Sequence, residues 1–194
     1  CVLYVPFFFA IAADDPATAL AQEIHDKGWI VYSAKADNGT WDLFLMRPDG
    51  SDARNLTNTP DIEEAAPRFS PTSDRILYRA LDKGTTINHD KWGFQGRLMI
   101  AGPDASSPKA VGNAEEYPWA SWSPDGKSIL FTSTRKDGAQ AWLLPVDGGE
   151  ATQLTSFAME VDNLGWVSDG KHITFSTMVF PECGADNECN KKNE

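Results

Sequence analysis

The chain has 194 residues, with 17 Lys and Arg against 28 Asp and Glu, giving a net charge of -11 and a pI near 4.6. A hydrophobic fraction of 41% with seven Trp excludes a disordered chain, and the length suits one domain with its own core. The acidic balance, with no basic cluster, weighs against nucleic acid and against anionic membrane surfaces.

Residues 1–13, CVLYVPFFFAIAA, are uncharged and apolar and end in the small residues Ala10, Ala12 and Ala13 before Asp14 and Asp15. This run is expected to be the apolar stretch and cleavage region of a truncated signal peptide, with a periplasmic or secreted location. Pro6 argues against the alternative of a buried first strand. The run is too short to cross a bilayer, and no later segment approaches the required length, so no transmembrane span is expected. Residues 14–27 form a leader segment with two readings. One is a short helix with Asp15 as its cap and Pro16 at its first position; the other is an outer strand that completes a sheet.

From Gly28 onward one grammar repeats. Ile30, Ile76, Ile129 and Ile173 sit in matching apolar strands at intervals of 46, 53 and 44 residues. Phe69-Ser70-Pro71, Trp122-Ser123-Pro124-Asp125-Gly126 and Trp166-Val167-Ser168-Asp169-Gly170 precede the last three. Further apolar strands follow at Trp41–Met46, Arg97–Ile100 and Ala141–Leu144, each with a turn after it. Asp-Gly and Asn-Gly pairs predict tight type I′ hairpins, so each run folds back on the one before. Four short antiparallel strands cannot bury both faces alone, whereas radial stacking of such sheets can. The expected fold is all-β: a β-propeller of four-stranded antiparallel blades, about three complete and a partial fourth, taken as a fragment of a longer protein. An irregular sandwich is the alternative. The repeats run at about 28–66, 67–117, 118–160 and 161–194. Ile30, Tyr32, Ile76, Tyr78, Ile129, Phe131, Ile173 and Phe175 are expected between blades, sealed by Trp122 and Trp166.

No catalytic constellation is present in the sequence, and G-x-S-x-G does not occur. His172 reads as a solvated residue at a strand start, and His25 lies in the leader. An insert around 81–94 carries His89, Asp90 and Trp92 as candidate ligand contacts, or as polar residues pinned to the blade by Trp92 and Phe94. Glu63, Glu64, Glu115 and Glu116 recur before strands, and Glu160 repeats the theme. With Arg68 they form a candidate binding rim for a cation or a basic segment. The loops lack the alternating Asp and Asn of a calcium site, and no metal or other cofactor is expected. Cys183 and Cys189, in the polar tail PECGADNEC, are expected to pair as a disulfide in an exported protein, since neither zinc nor redox spacing fits.

The strings FSPTSDRILY, WSPDGKSILFTS and WVSDGKHITFST resemble the WD40-like (PD40) repeats of TolB-type β-propellers. The stretch from Ala139 through VFPECGADNECNKK to Glu194 is similar to the N-terminal propeller of prolyl oligopeptidase family serine peptidases. The peptidase likeness implies a propeller that screens peptide access to a hydrolase domain, here expected downstream, and no residue of this chain matches the Ser-Asp-His triad. The TolB likeness implies a periplasmic propeller that binds other proteins. Both make the partner a protein or peptide. A propeller enzyme with chemistry in its own channel is a third, weaker reading.

Overall fold

The computed structural model describes residues 15–85, 96–111, 120–136 and 138–193. The apolar leader, His89, Asp90, Trp92, Glu115 and Glu116 lie outside the described residues.

Helix α1 (Pro16–Lys27) opens the described chain. Proline at its first position needs no N–H there, and Gly28, in the left-handed conformation at φ 70°, closes it by donating to Ile24 O. Asp15 stands at the cap position but makes no side-chain capping bond. Helix α1 buries Ala21 and Ile24, and Ile24 packs on Trp29 and Leu45.

Four sheets follow. The first joins β1 (Ile30–Lys35), β2 (Trp41–Met46) and β3 (Arg54–Asn55). The second runs β4 (Ile62–Phe69), β5 (Ile76–Asp82), β6 (Arg97–Ala101) and β7 (Lys109–Ala110). The third runs β8 (Ala120–Trp122), β9 (Ser128–Ser133), β10 (Gln140–Pro145) and β11 (Thr152–Gln153), and the fourth pairs β12 (Val161–Trp166) with β13 (Ile173–Thr177). Every pairing is antiparallel and every neighbour is consecutive in the chain, the meander of a propeller blade. The second sheet begins at Ile62 rather than near residue 67, because Glu63 and Glu64 are inside its first strand.

The turns depart from the type I′ expectation. Gly39, Gly50, Gly126 and Gly170 donate to the carbonyls of Ala36, Arg47, Ser123 and Val167, three residues back. At each turn the glycine alone carries a positive φ, so the geometry is a type I turn with a left-handed residue at its end. The preceding Asn or Asp decides this. Asn38, Asp49, Asp125 and Asp169 each accept the N–H two residues on through Oδ1. The Ser51 hydroxyl for Asp49 and the Ser123 hydroxyl for Asp125, followed by these Asx bonds, hold both carboxyls below their ordinary range, and for Asp169 the Asx bond from Lys171 leads.

Ile76, Tyr78, Ile129 and Phe131 are buried between sheets, as is Trp122. Ile30 is exposed, and Tyr32, Ile173, Phe175 and Trp166 are only half-buried. Alternation places all of these on the face toward the preceding sheet, and for Ile30 and Tyr32 no preceding sheet lies among the described residues.

Candidate binding surface at the blade seams

The seam between the first two blades is polar at its centre. Leu43 N–H on β2 divides between Thr57 Oγ1 at 3.1 Å and Glu64 Oε2 at 3.2 Å, and the Thr57 hydroxyl donates to the same carboxylate oxygen. Glu64 is therefore a buried inter-blade bridge, 3% exposed, and does not stand on an open rim. The β4 pleat turns its side chain inward, as it does Val161 at the matching register of β12. Both strands carry a bulge one step later, with Ala66 and Asn163 each at φ 52°. Burial pushes the Glu64 carboxyl up, and its charge, after burial, helps push the Tyr78 phenol to about 12. Asp42, fully buried beside this seam, accepts from Asn55 Nδ2 at 2.6 Å.

Arg68 leaves the opposite face of β4 and donates to Ala120 O at 3.2 Å, while Trp122 Nε1 donates to Arg68 O at 3.4 Å. These bonds tie the second blade to the third. Arg79 follows Tyr78 in β5 and is 4% exposed. Burial first, and the like charge of Arg68 second, lower its guanidinium to about 10. Sequence reasoning passed over Arg79, although the other repeats place Ser33, Thr132 and Ser176 at its register. A charged residue where the repeat has a small hydroxyl was the available signal.

The rim residues are thus dispersed. Glu63 is half-buried, Glu64 is internal and Arg68 joins two blades. Glu160 is exposed just before β12 and lines a hollow of about 650 Å³ with Phe157, Met159, Met178 and Lys191. The cysteine tail borders the same hollow. Cys183 and Cys189 are joined by a disulfide that braces α2 (Asn187–Asn193). Asn187 Oδ1 accepts from Ala158 N at 2.6 Å, and its Nδ2 donates to Ser156 O at 3.1 Å. His172, as read from sequence, is solvent-exposed at the turn before β13. Among the described residues no group of three or more His, Cys, Asp or Glu is placed to hold a metal, and no helix is long and apolar enough to cross a membrane.

Sequential antiparallel sheets, two of them four-stranded, packed face to face through apolar layers, define this chain as part of a β-propeller. No family model matches it. A putative TolB from Agrobacterium tumefaciens superposes with a TM-score of 0.57 at 19% identity, covering 79% of this chain and 51% of that structure. A prolyl endopeptidase superposes with a TM-score of 0.56 at 12% identity, over 84% of this chain and 28% of that structure. In sequence, the uncharacterized peptidase YuxL of Bacillus subtilis is 29% identical over 110 residues, which is 55% of this chain and 16% of that relative. The chain thus has a β-propeller fold similar to that of TolB and of a prolyl endopeptidase, and it spans only a minor part of the length of the peptidase relative it matches.

Proposed function

We propose that this chain is a noncatalytic propeller segment of an exported peptidase of the prolyl oligopeptidase type, screening peptide access or binding a protein partner. The 110-residue sequence match to a peptidase carries this reading. The proposed contact face follows the seams, through Glu63, Arg68 and Glu160, with Glu115, Glu116 and the His89-Asp90-Trp92 insert as further candidates. The apolar leader would direct export. A TolB-like periplasmic interaction module is the second reading, favoured by the TolB superposition and by a sequence match to the TolB of Ruegeria sp., 40% identical over 67 residues. The coding sequence downstream of Glu194 separates the two. Further blades followed by a hydrolase domain bearing G-x-S-x-G are expected, and a stop codon after one more blade would decide for the TolB-like module. The isolated chain is expected to leave peptide p-nitroanilides intact; turnover blocked by a serine-directed inhibitor would overturn the noncatalytic role.

A further inference from the structure

The cysteine tail has little to hold it besides its own cross-link. Helix α2 spans seven residues, NECNKKN, and the one residue it buries is Asn190. A polar helix this short does not persist on helical propensity alone. Asn190, 3% exposed, organises the tail from within. Its Oδ1 accepts from Phe180 N at 2.8 Å, and its Nδ2 donates to Gly184 O at 3.0 Å and to Asp186 O at 2.7 Å. Asn193 Nδ2 donates to Cys189 O at 3.0 Å. Water satisfies these same groups once the tail opens, so their net hold is small. The Cys183–Cys189 disulfide is the covalent restraint that keeps the open forms few.

Among the described residues, both hydrogen bonds from the tail to the loop ahead of β12 are made by Asn187, to Ala158 N and Ser156 O. That loop is held separately on its other side. Gln140 accepts from Phe157 N and donates to Phe157 O, each at 3.1 Å, and Phe157 packs on Phe175 with ring centroids 5.2 Å apart. Adjacent amides of one loop thus answer to different anchors: Phe157 to the blade and Ala158 to the tail. Lys191 of the tail walls the hollow of about 650 Å³ that Glu160 also lines. Of the two cysteines Cys183 is buried and Cys189 half-buried, so the more open approach for a thiolate is at Cys189.

We propose that the Cys183–Cys189 disulfide is a redox-sensitive latch, holding the tail on the loop at Ser156 and Ala158 while oxidised and releasing it when a dithiol reduces it. A thiolate of the dithiol attacks Cys189 Sγ, the bond between the two sulfurs breaks, and the Cys183 thiolate leaves and takes up a proton. The second thiol of the reductant then displaces Cys189, which is protonated in turn. Two electrons and two protons pass from the dithiol, which departs as its cyclic disulfide. Release takes Lys191 off the hollow and leaves Glu160 facing solvent there. The latch stands under either reading of the function above. The chain labelled with ¹⁵N is followed by amide hydrogen exchange before and after dithiothreitol, with the thiols of Cys183 and Cys189 counted by alkylation and mass spectrometry. The Ala158 amide is expected to exchange about tenfold faster once reduced, well within what a loop-closing disulfide contributes. The Phe157 amide should keep its rate, and reoxidation should restore Ala158. Asn187→Ala should bring the oxidised chain to the same Ala158 rate, with no further rise on reduction. The double variant Cys183→Ser, Cys189→Ser should match the reduced parent without reductant. Unchanged Ala158 exchange with both thiols free overturns the latch, as does a disulfide that resists dithiothreitol in the folded chain. A joint rise at Phe157 overturns it too, because the whole loop would then be loosening. A further rise on reducing Asn187→Ala would show the disulfide acting by another route, with the same consequence.

Discussion

The seam between the first two blades and the seam between the last two face the same problem and solve it with different chemistry. In each, a backbone N–H of an outer strand must be satisfied inside the stack, and a Thr two residues past a short closing strand does it. Thr57 Oγ1 takes Leu43 N–H at the first seam, and Thr155 Oγ1 takes Ala141 N–H at 2.8 Å at the last. The hydroxyl proton then goes to Glu64 in one case and to Gln140 Oε1 in the other. Gln140 is neutral and also accepts from Phe157 N while donating to Phe157 O. Glu64 is ionisable and sits where burial raises its pKa. The same backbone requirement is therefore met independently of pH at one seam and dependently at the other.

Gln140→Leu gives the largest expected break. It strands the Thr155 hydroxyl and the Phe157 N–H in a buried setting, at a cost of about 3 kcal/mol, since each lost partner costs about 1–3 kcal/mol. Urea unfolding at neutral pH should show this as a lower midpoint with an unchanged slope. A midpoint within error of the parent would mean the seam has no such dependence.

The paired variants Thr57→Val and Thr155→Val sharpen the contrast. Each should cost about 1–2 kcal/mol at pH 7, the range for a bond to a buried or charged acceptor. The Thr57→Val penalty should shrink as the medium is acidified, because a protonated Glu64 needs the donor less, while the Thr155→Val penalty should stay flat. Parallel pH profiles for the two would contradict the assignment of the proton to Glu64.

Glu64→Gln has the smallest expected effect. Burial raises the folded carboxyl's pKa above its ordinary value, so the native state holds the proton more tightly than the unfolded chain. Its contribution is fully present below the unfolded pKa and is lost as pH rises through the folded one. The parent should thus lose stability upward across that window, and Glu64→Gln should not. The variant is expected to match or exceed the parent at pH 7, and the difference should close as the medium is acidified. A large loss at pH 7 would show that the ionised carboxylate is required.

Much of the architecture was legible because it depends on local periodicity. The apolar run at Ile76–Leu81, the Trp122 turn and the hairpins after each strand read directly into antiparallel sheets. The turn type did not, since Asp-Gly composition fits type I′ as well as a type I turn closed by an Asx bond, and the choice rests on which carbonyls the N–H groups reach. The burial of Glu64 was hidden for a similar reason. Glu63 and Glu64 look alike in sequence, but their strand points one toward half-exposure and the other into the core, and only the bulge that follows sets that phase. Residues such as Thr57, Gln140 and Arg79 gave weak signals, because each matters through a partner distant in the chain or through its burial.

The sequence by itself determined that the chain builds repeated four-strand units with a cysteine-bearing tail, since strand alternation and turn chemistry act over a few residues. The tertiary structure decided which carboxylate is buried and where the tail docks. Those outcomes depend on the faces that neighbouring blades present to one another. Burial and hydrogen-bond satisfaction are properties of that juxtaposition, and no single repeat contains them.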